Sequence, residues 1–230
     1  MKPDRCQAKQ GGTVRKIGIT GGVGCGKSTV LDFLRGHTRC RILKSDEAAR
    51  ALEEPGGICY APMIALLEEY RKPGDGILVP EKGGPFDRAE AARRIYRSAA
   101  LRARVDALIH PAVILFILQE MEAAEEEGVY DYFFLEAALL IENGFLKFVD
   151  EMWYIYCSEE IRRARLRASR GYSDDKIDAM MRAQLSDAEF RKYCDIVIDN
   201  SGTAASMERQ VMDALGRNRR FRADTADRMA

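Results

Sequence analysis

The sequence lacks a long hydrophobic run, closely spaced cysteines and an excess of charge of either sign. Its 36 basic and 36 acidic residues give a formal net charge of zero, so the molecule as a whole has no electrostatic attraction for nucleic acid or membranes. The six cysteines are too widely separated for a paired metal site or a compact disulfide framework. The most apolar run, AVILFIL at 112–118, is too short to span a bilayer, and the first residues contain no apolar signal segment. We therefore expect a cytoplasmic protein that binds neither nucleic acid nor membranes.

Short apolar segments of strand character alternate with segments of helical composition. The predicted strands are 14–20, 40–46, 130–135, 152–157 and 195–199. The predicted helices are 28–35, 47–53, 61–70, 159–170, 173–193 and 204–215, with two or three more between 86 and 127 that are interrupted at His110-Pro111. Apolar strands separated by helices indicate a parallel sheet covered on both faces. The predicted fold is therefore α/β, a three-layer sandwich around a central parallel sheet.

The helical stretch from 47 to 127 is too long to be a single crossover between strands. We interpret it as a helical substrate lobe inserted into a nucleotide core formed by 14–46 and 128–215. Residues 1–13 are predicted to be a loose leader, and residues 216–230 a flexible tail.

A glycine-rich segment lies between the first predicted strand and the first predicted helix. Gly21, Gly26, Lys27 and Ser28 fill the frame G-x-x-x-x-G-K-[ST], which is typical of a phosphate-binding loop. Glycines allow successive N–H groups to point at a polyanion beside the helix N-terminus. Lys27 is expected to reach the outer phosphates, and Ser28 to hold Mg²⁺. The predicted ATP-binding residues of the loop are Gly22, Val23, Gly24, Cys25, Gly26, Lys27, Ser28 and Thr29.

The loop alone does not distinguish a switch GTPase, an ATP-driven machine and a small-molecule kinase. The N-K-x-D signature of common guanine-binding proteins is missing, and the denser pattern G-x-x-G-x-G-K from Gly21 to Lys27 is typical of metabolite kinases. A kinase also needs a group that orients or deprotonates the acceptor hydroxyl. Asp46 follows the second predicted strand, at the sheet edge where ligands bind, and is the candidate. An equally open interpretation is that Asp46 caps the helix that follows it.

Seven sequence elements occur in the order found in one family, and the chain resembles the dephospho-coenzyme A kinases. The elements are ITGGVGCGKSTV, SDEAAR, EPG, IHPAV, EAALLIENGF, AQL and DIVIDNSG. The resemblance implies a P-loop NTPase fold with a helical CoA-binding lobe and a mobile helical lid at about 159–190. It also implies transfer of the ATP γ-phosphoryl group to the ribose 3′-hydroxyl of dephospho-CoA with Mg²⁺, and it aligns Asp46 with the family's acceptor-site aspartate. Lys44 stands in place of another family aspartate and Ala138 in place of a proline.

Residue chemistry and the resemblance together suggest roles for further residues in the site. Arg50 is predicted to bind substrate phosphate because a guanidinium fork suits phosphate, and its alternative is a solvated helix charge. His110 is predicted to contact the acceptor nucleotide or to be structural. Glu142 is the acid aligned with the family's substrate element, whereas Glu136 ends an apolar strand and is a candidate for binding Mg²⁺ through water.

Five arginines between 162 and 170 form a basic cluster in the predicted lid. A solvated surface explains most of them, and we select Arg165 as a catalytic residue and Arg170 as an ATP-binding residue, because lid arginines stabilise phosphoryl transfer. Asn200 follows the last strand and is predicted to face adenine or to be a turn residue. The expected partners are ATP and dephospho-CoA, in a monomer or a weak homo-oligomer. Another metabolite kinase and a non-catalytic nucleotide-binding module are the alternatives.

Overall fold

A computed structural model describes residues 13–137, 140–141 and 145–228, with the backbone alone for 217–228. The described residues form five strands, β1 to β5: Arg15–Thr20, Cys40–Lys44, Tyr132–Glu136, Glu151–Tyr156 and Ile196–Asp199. The helices α1 to α9 are Lys27–His37, Ser45–Glu53, Tyr60–Glu69, Arg88–Tyr96, Ala99–Glu127, Glu159–Arg170, Asp174–Arg182, Asp187–Tyr193 and Ala204–Arg228. A short 3₁₀ helix covers Phe145–Phe148.

The strands form one parallel sheet in the order β2-β3-β1-β4-β5. The first strand is central, and its Gly18 lies opposite Leu135 of β3 on one side and Met152 of β4 on the other. Parallel strands place their carboxyl ends at a single edge of the sheet, and in open α/β sheets ligands bind there. The loop after β1 therefore opens at the centre of that edge. The predicted α/β fold with a central parallel sheet is confirmed.

Chain packing divides the described residues into two compact units. The first comprises residues up to Ile42 and from Ala124 on, and the second comprises Leu43–Ala123. In the first unit, apolar side chains of the sheet pack with α1 and α9 into a core that includes the fully buried Trp153. In the second unit, buried apolar residues recur every four positions along α5, from Leu101 to Met121, and form one buried face of this helix.

Several predicted helix boundaries are wrong. The break at His110-Pro111 does not occur, because α5 continues through Pro111, with Ile109, Val113 and Ile117 buried on one side of the helix. The packing of that face compensates for the backbone hydrogen bond that proline cannot make. The predicted helix at 173–193 is two helices, since Ser186 begins α8 with a complete capping box.

Two other helices extend beyond their predicted ends. Helix α1 passes through Gly36 and ends at His37, where Thr38 donates its backbone N–H to Leu34 O at 3.0 Å. Helix α9 continues beyond the predicted end at Leu215, since its backbone is helical to Arg228. The flexible tail expected for 216–230 stays a prediction. Arginine and alanine, which favour helix, are frequent in that segment. Along the described chain, no helix has both the length and the apolar character that crossing a membrane requires.

Candidate active site

The loop that links β1 to α1 has the backbone geometry of an anion cradle. Gly21, Gly24 and Gly26 have positive φ angles of 148°, 78° and 87°. Gly26 is also the N-cap residue of α1, and no side chain caps this helix. The first N–H groups of the helix therefore face the loop without a side-chain acceptor, where they would bind an anion with the help of the helix dipole. By contrast, serine hydroxyls cap α6, α7 and α8.

Lys27, the first residue of α1, is held over the loop by two oxygen groups. Its ammonium group donates to Gly21 O at 2.9 Å and lies 3.6 Å from Glu136 Oε1. Glu136 ends β3 and lies opposite Ile19 in the parallel pairing of β1 with β3. The arrangement places a cation and a carboxylate side by side at the sheet edge where the loop begins.

Two predicted site residues, Arg165 and Asn200, hold the carbonyl group of Cys25. Asn200 Nδ2 donates to Cys25 O at 2.8 Å, and Arg165 Nη1 donates to the same oxygen at 3.3 Å. Arg165 Nη2 also donates to Asn200 O at 3.0 Å, so the two residues are coupled. The side-chain amide of Asn200 is thus bonded to the loop, and Asn200 is buried. Both residues lie behind the cradle and fix the direction of one of its peptides.

Cys25 is a buried residue of the loop. Its side chain is 1% exposed, and burial raises the pKa of its thiol above the usual range, although Lys27 and Arg162 act in the opposite direction. A neutral buried thiol is a weak nucleophile, so Cys25 occupies its place in the loop as a small buried side chain. The cysteines within the described ranges, five in number, are all free thiols.

Sequence reasoning missed two residues that contact the loop, Arg162 and Gln184. Arg162 Nε donates to Val23 O at 2.9 Å, and Val23 N donates to Gln184 Oε1 at 3.0 Å. Both residues belong to features that the sequence displayed, the arginine cluster and the AQL element. Their side-chain directions could not be obtained from spacing alone. Arg170, which was selected from the cluster, is exposed at the end of α6, with its guanidinium 6.0 Å from the centre of the Tyr172 ring.

Asp46, Arg50 and His110 belong to the second unit, and Glu142 lies outside the described residues. Asp46 is exposed in the first turn of α2, whose N-cap is Lys44, and the helix has no side-chain cap. The interpretation of Asp46 as the capping residue is therefore wrong. Arg50 is exposed in the last turn of the same helix. His110 is exposed within α5, with Nε2 4.0 Å from Asp106 Oδ1.

Oxygen groups suitable for a hard cation occur beside the loop. Ser28 and Thr29 are exposed in the first turn of α1, and Glu136 provides a carboxylate near Lys27. In the part of the chain that the structure describes, no group of three or more His, Cys, Asp or Glu side chains forms a metal-binding cluster. Mg²⁺ commonly takes one or two protein oxygens and completes its shell with water and substrate phosphates, so the residues present fit this metal when nucleotide supplies the remaining ligands.

A parallel sheet with a glycine-rich loop between its central strand and the next helix defines a P-loop protein of the α/β class. The family model for dephospho-CoA kinase matches residues 15–206, which is most of the sequence. The chain belongs to the dephospho-CoA kinase family.

Individual proteins and solved structures are similar to this chain over most of its length. A dephospho-CoA kinase from Geobacillus kaustophilus is 34% identical over 199 residues, covering 86% of this chain and 94% of that protein. A solved Thermus thermophilus structure has a TM-score of 0.72 at 27% identity and covers 90% of this chain and 98% of that one. The dephospho-CoA kinase from Campylobacter jejuni, at 16% identity and a TM-score of 0.63 over 90% of this chain and 98% of that one, has the same fold.

Proposed function

We propose that this protein transfers the γ-phosphoryl group of ATP to the 3′-hydroxyl group of dephospho-CoA. The observation that carries the proposal is the uncapped N-terminus of α1 beside the positive-φ glycines, with Lys27 held over the loop, in a chain of the dephospho-CoA kinase family. Such a loop binds the phosphates of a nucleotide through backbone amides and a lysine. A cytoplasmic location is part of the proposal, since ATP is the phosphoryl donor.

In the proposed complex, the loop from Gly22 to Thr29 binds the phosphates of ATP. Lys27 exchanges Gly21 O and the Glu136 carboxylate for the outer phosphates and stabilises the charge that develops on them during transfer. The N–H groups of Val23, Cys25 and Thr29 are already bonded to Gln184 Oε1, Gly22 O and Gly26 O, so the remaining amides of the loop carry the binding. Arg165 places a positive charge behind the Cys25 peptide, while Arg170 at the end of α6 would act only if it turned away from Tyr172.

Asp46 is the proposed base for the acceptor hydroxyl group. It takes the proton of the 3′-hydroxyl as the new O–P bond forms and the bond between the γ-phosphorus and the bridging oxygen breaks, so that ADP leaves with that electron pair. The support for this role is an exposed carboxylate without a capping function. Arg50 and His110 are proposed to bind the phosphate and nucleotide parts of dephospho-CoA, and Glu142 retains the substrate role that the resemblance assigned to it.

Mg²⁺ is the proposed cofactor, with Ser28 and Glu136 as its protein contacts, directly or through water. When bound, the ion would neutralise charge on the phosphates. Ser28 follows Lys27 in the first turn of α1, and Glu136 Oε1 lies 3.6 Å from the Lys27 ammonium group, so both residues supply oxygen atoms beside the loop. All of these residues belong to one chain, so the proposal requires no second copy.

The proposal is tested by measuring ADP formation with ATP, Mg²⁺ and a panel of acceptors comprising dephospho-CoA, adenosine, AMP and a small sugar. We expect turnover with dephospho-CoA and much slower turnover with the others. Rapid turnover with a different acceptor would indicate another metabolite kinase, and ATP binding without turnover would indicate a non-catalytic module. Asp46→Asn should bind ATP like the unaltered protein and transfer slowly, whereas full turnover by this variant would remove the proposed base.

A further inference from the structure

Both backbone polar groups of Val23, its N–H and its carbonyl oxygen, are bound by side chains outside the loop. Val23 N–H donates to Gln184 Oε1 at 3.0 Å, and Val23 O accepts from Arg162 Nε at 2.9 Å. The ring closes because Arg162 Nη2 donates to the same Gln184 oxygen at 3.1 Å. Arg162 lies at the end of the first turn of α6, and Gln184 lies just after α7. Two hydrogen bonds thus join separate parts of the chain to one residue of the loop, and a third joins those two parts to each other.

The glycines on either side of Val23 make this attachment possible and necessary. A Cβ atom at Gly22 would lie 2.4 Å from Arg162 Nη2, so only glycine leaves space for the guanidinium at its observed position. Gly24 has a φ of 78°, and a Cβ there would lie 3.1 Å from Leu166 Cγ. Glycine-flanked backbone has more conformational freedom than any other, so an unattached Val23 peptide would sample many orientations.

We propose that Arg162 and Gln184 are positioning residues that fix the Val23 peptide and thereby preorganise the phosphate loop for ATP. They act at a different point of the loop from Arg165 and Asn200, which hold Cys25 O. Neither residue needs to touch the nucleotide, because each acts through the backbone of Val23. The inference rests on the proposed function only in taking ATP as the ligand of the loop.

Gln184 gives the sharper test because its substitution can leave the charge near the phosphates unchanged. Gln184→Leu removes the oxygen that accepts from Val23 and Arg162, whereas Gln184→Glu retains an accepting oxygen in the same place. Arg167→Ala is the matched control, because Arg167 lies on α6 and bonds Asp174 rather than the loop. Three quantities are measured in the full chain: the amide ¹H–¹⁵N shift of Val23, the ATP affinity by calorimetry without acceptor, and the melting temperature from Trp153 fluorescence.

We expect Gln184→Leu to move the Val23 amide resonance and to weaken ATP binding by about three- to tenfold, the usual effect of losing a partly buried hydrogen bond. Gln184→Glu should retain the hydrogen-bonded Val23 shift, and Arg167→Ala should retain both the shift and the affinity. The double variant Arg162→Met/Gln184→Leu should lose less affinity than the two single losses predict together, because the ring acts as one unit.

An unchanged Val23 shift and affinity in Gln184→Leu would overturn the inference. Equal losses in Arg167→Ala would overturn it too, since they would indicate a general effect of disturbing α6. If Gln184→Leu does not fold, loss of the Val23 shift in the folded Gln184→Glu variant would overturn the inference, and its retention would support it. None of these measurements includes dephospho-CoA. If the protein transferred no phosphoryl group, the proposed function would be refuted, but the Val23 shift and the ATP affinity would still test this inference.

Discussion

Replacing Gly26 by alanine tests whether the phosphate loop depends on one left-handed backbone position. Gly26 combines a φ of 87° with the Asn200 side chain close to the position that a Cβ atom would take. A Cβ atom there would lie 2.2 Å from Asn200 Nδ2 and 3.3 Å from Arg165 Nη1. Asn200 would have to move, and the shorter of the two hydrogen bonds that hold Cys25 O would be lost, which leaves the buried side-chain amide of Asn200 without this acceptor.

The expected loss of stability follows from these two effects. The left-handed conformation costs alanine about 1–2 kcal/mol, and a buried polar group that loses its partner costs about 1–3 kcal/mol. Gly26→Ala should therefore lower the free energy of unfolding by about 2–5 kcal/mol, which corresponds to a fall of about 10 °C in melting temperature for a chain of this size. ATP affinity should fall as well, because the N–H groups of the loop lose their orientation.

Gly36→Ala is the matched control within the same helix. A Cβ atom at Gly36 meets nothing within 4 Å, and alanine is the better helix former, so this variant should gain about 0.5–1 kcal/mol and bind ATP normally. Thermal melts followed by Trp153 report on the unit that contains the loop, since this buried tryptophan lies on β4. Our reasoning is refuted if Gly26→Ala is as stable as the unaltered protein and binds ATP equally well.

Three further predictions concern other parts of the chain. The Arg97 guanidinium holds the pKa of the buried Asp75 carboxyl far below its usual range, and Arg93 and the backbone N–H of Lys72 act in the same direction. The ionised carboxylate therefore stabilises the folded protein, and this stabilisation should be lost as pH falls below about 4, the pKa of an aspartate in the unfolded chain. Asp75→Asn should lower the free energy of unfolding at pH 6 and make it depend less on pH in the acid range, as urea titrations at several pH values can measure. A free energy of unfolding that falls as steeply with acid in the variant as in the unaltered protein would contradict this. Because burial raises the pKa of the Cys25 thiol, iodoacetamide should label it slowly at pH 8 until denaturant is added. Mass spectrometry of the digested protein measures this labelling, and rapid labelling of the folded protein would argue against a buried loop thiol. Arg165→Ala should weaken ATP binding in calorimetry more than Arg170→Ala does, since only the former contacts the loop, and the reverse order would count against the arrangement at Cys25 O.

The sequence was sufficient for those features that depend on local pattern. The apolar strands predicted a parallel sheet, and the frame from Gly21 to Ser28 identified the loop before its backbone geometry was known. Both signals work because strand burial and positive φ angles restrict which residue types can occur at each position.

Other features depend on packing between distant segments, and the sequence could not provide them. Continuation of α5 through Pro111 depends on apolar residues that are buried on both sides of the proline. Arg162 and Arg165 contact the loop whereas Arg170 contacts Tyr172, although all three belong to one cluster in the sequence. A helix places its arginines on several faces, and the face that meets the loop is decided by how α6 packs in the folded chain.

The most direct test of the proposed activity is to locate the transferred phosphoryl group. The protein is incubated with Mg²⁺, dephospho-CoA and ATP labelled in the γ-phosphate, and the product is analysed by mass spectrometry and by phosphorus–proton correlation in NMR spectra. We predict a label on the ribose 3′-oxygen in the product of the unaltered protein and almost none with Lys27→Met. Label at any other position, or an undiminished yield with Lys27→Met, would contradict the proposal.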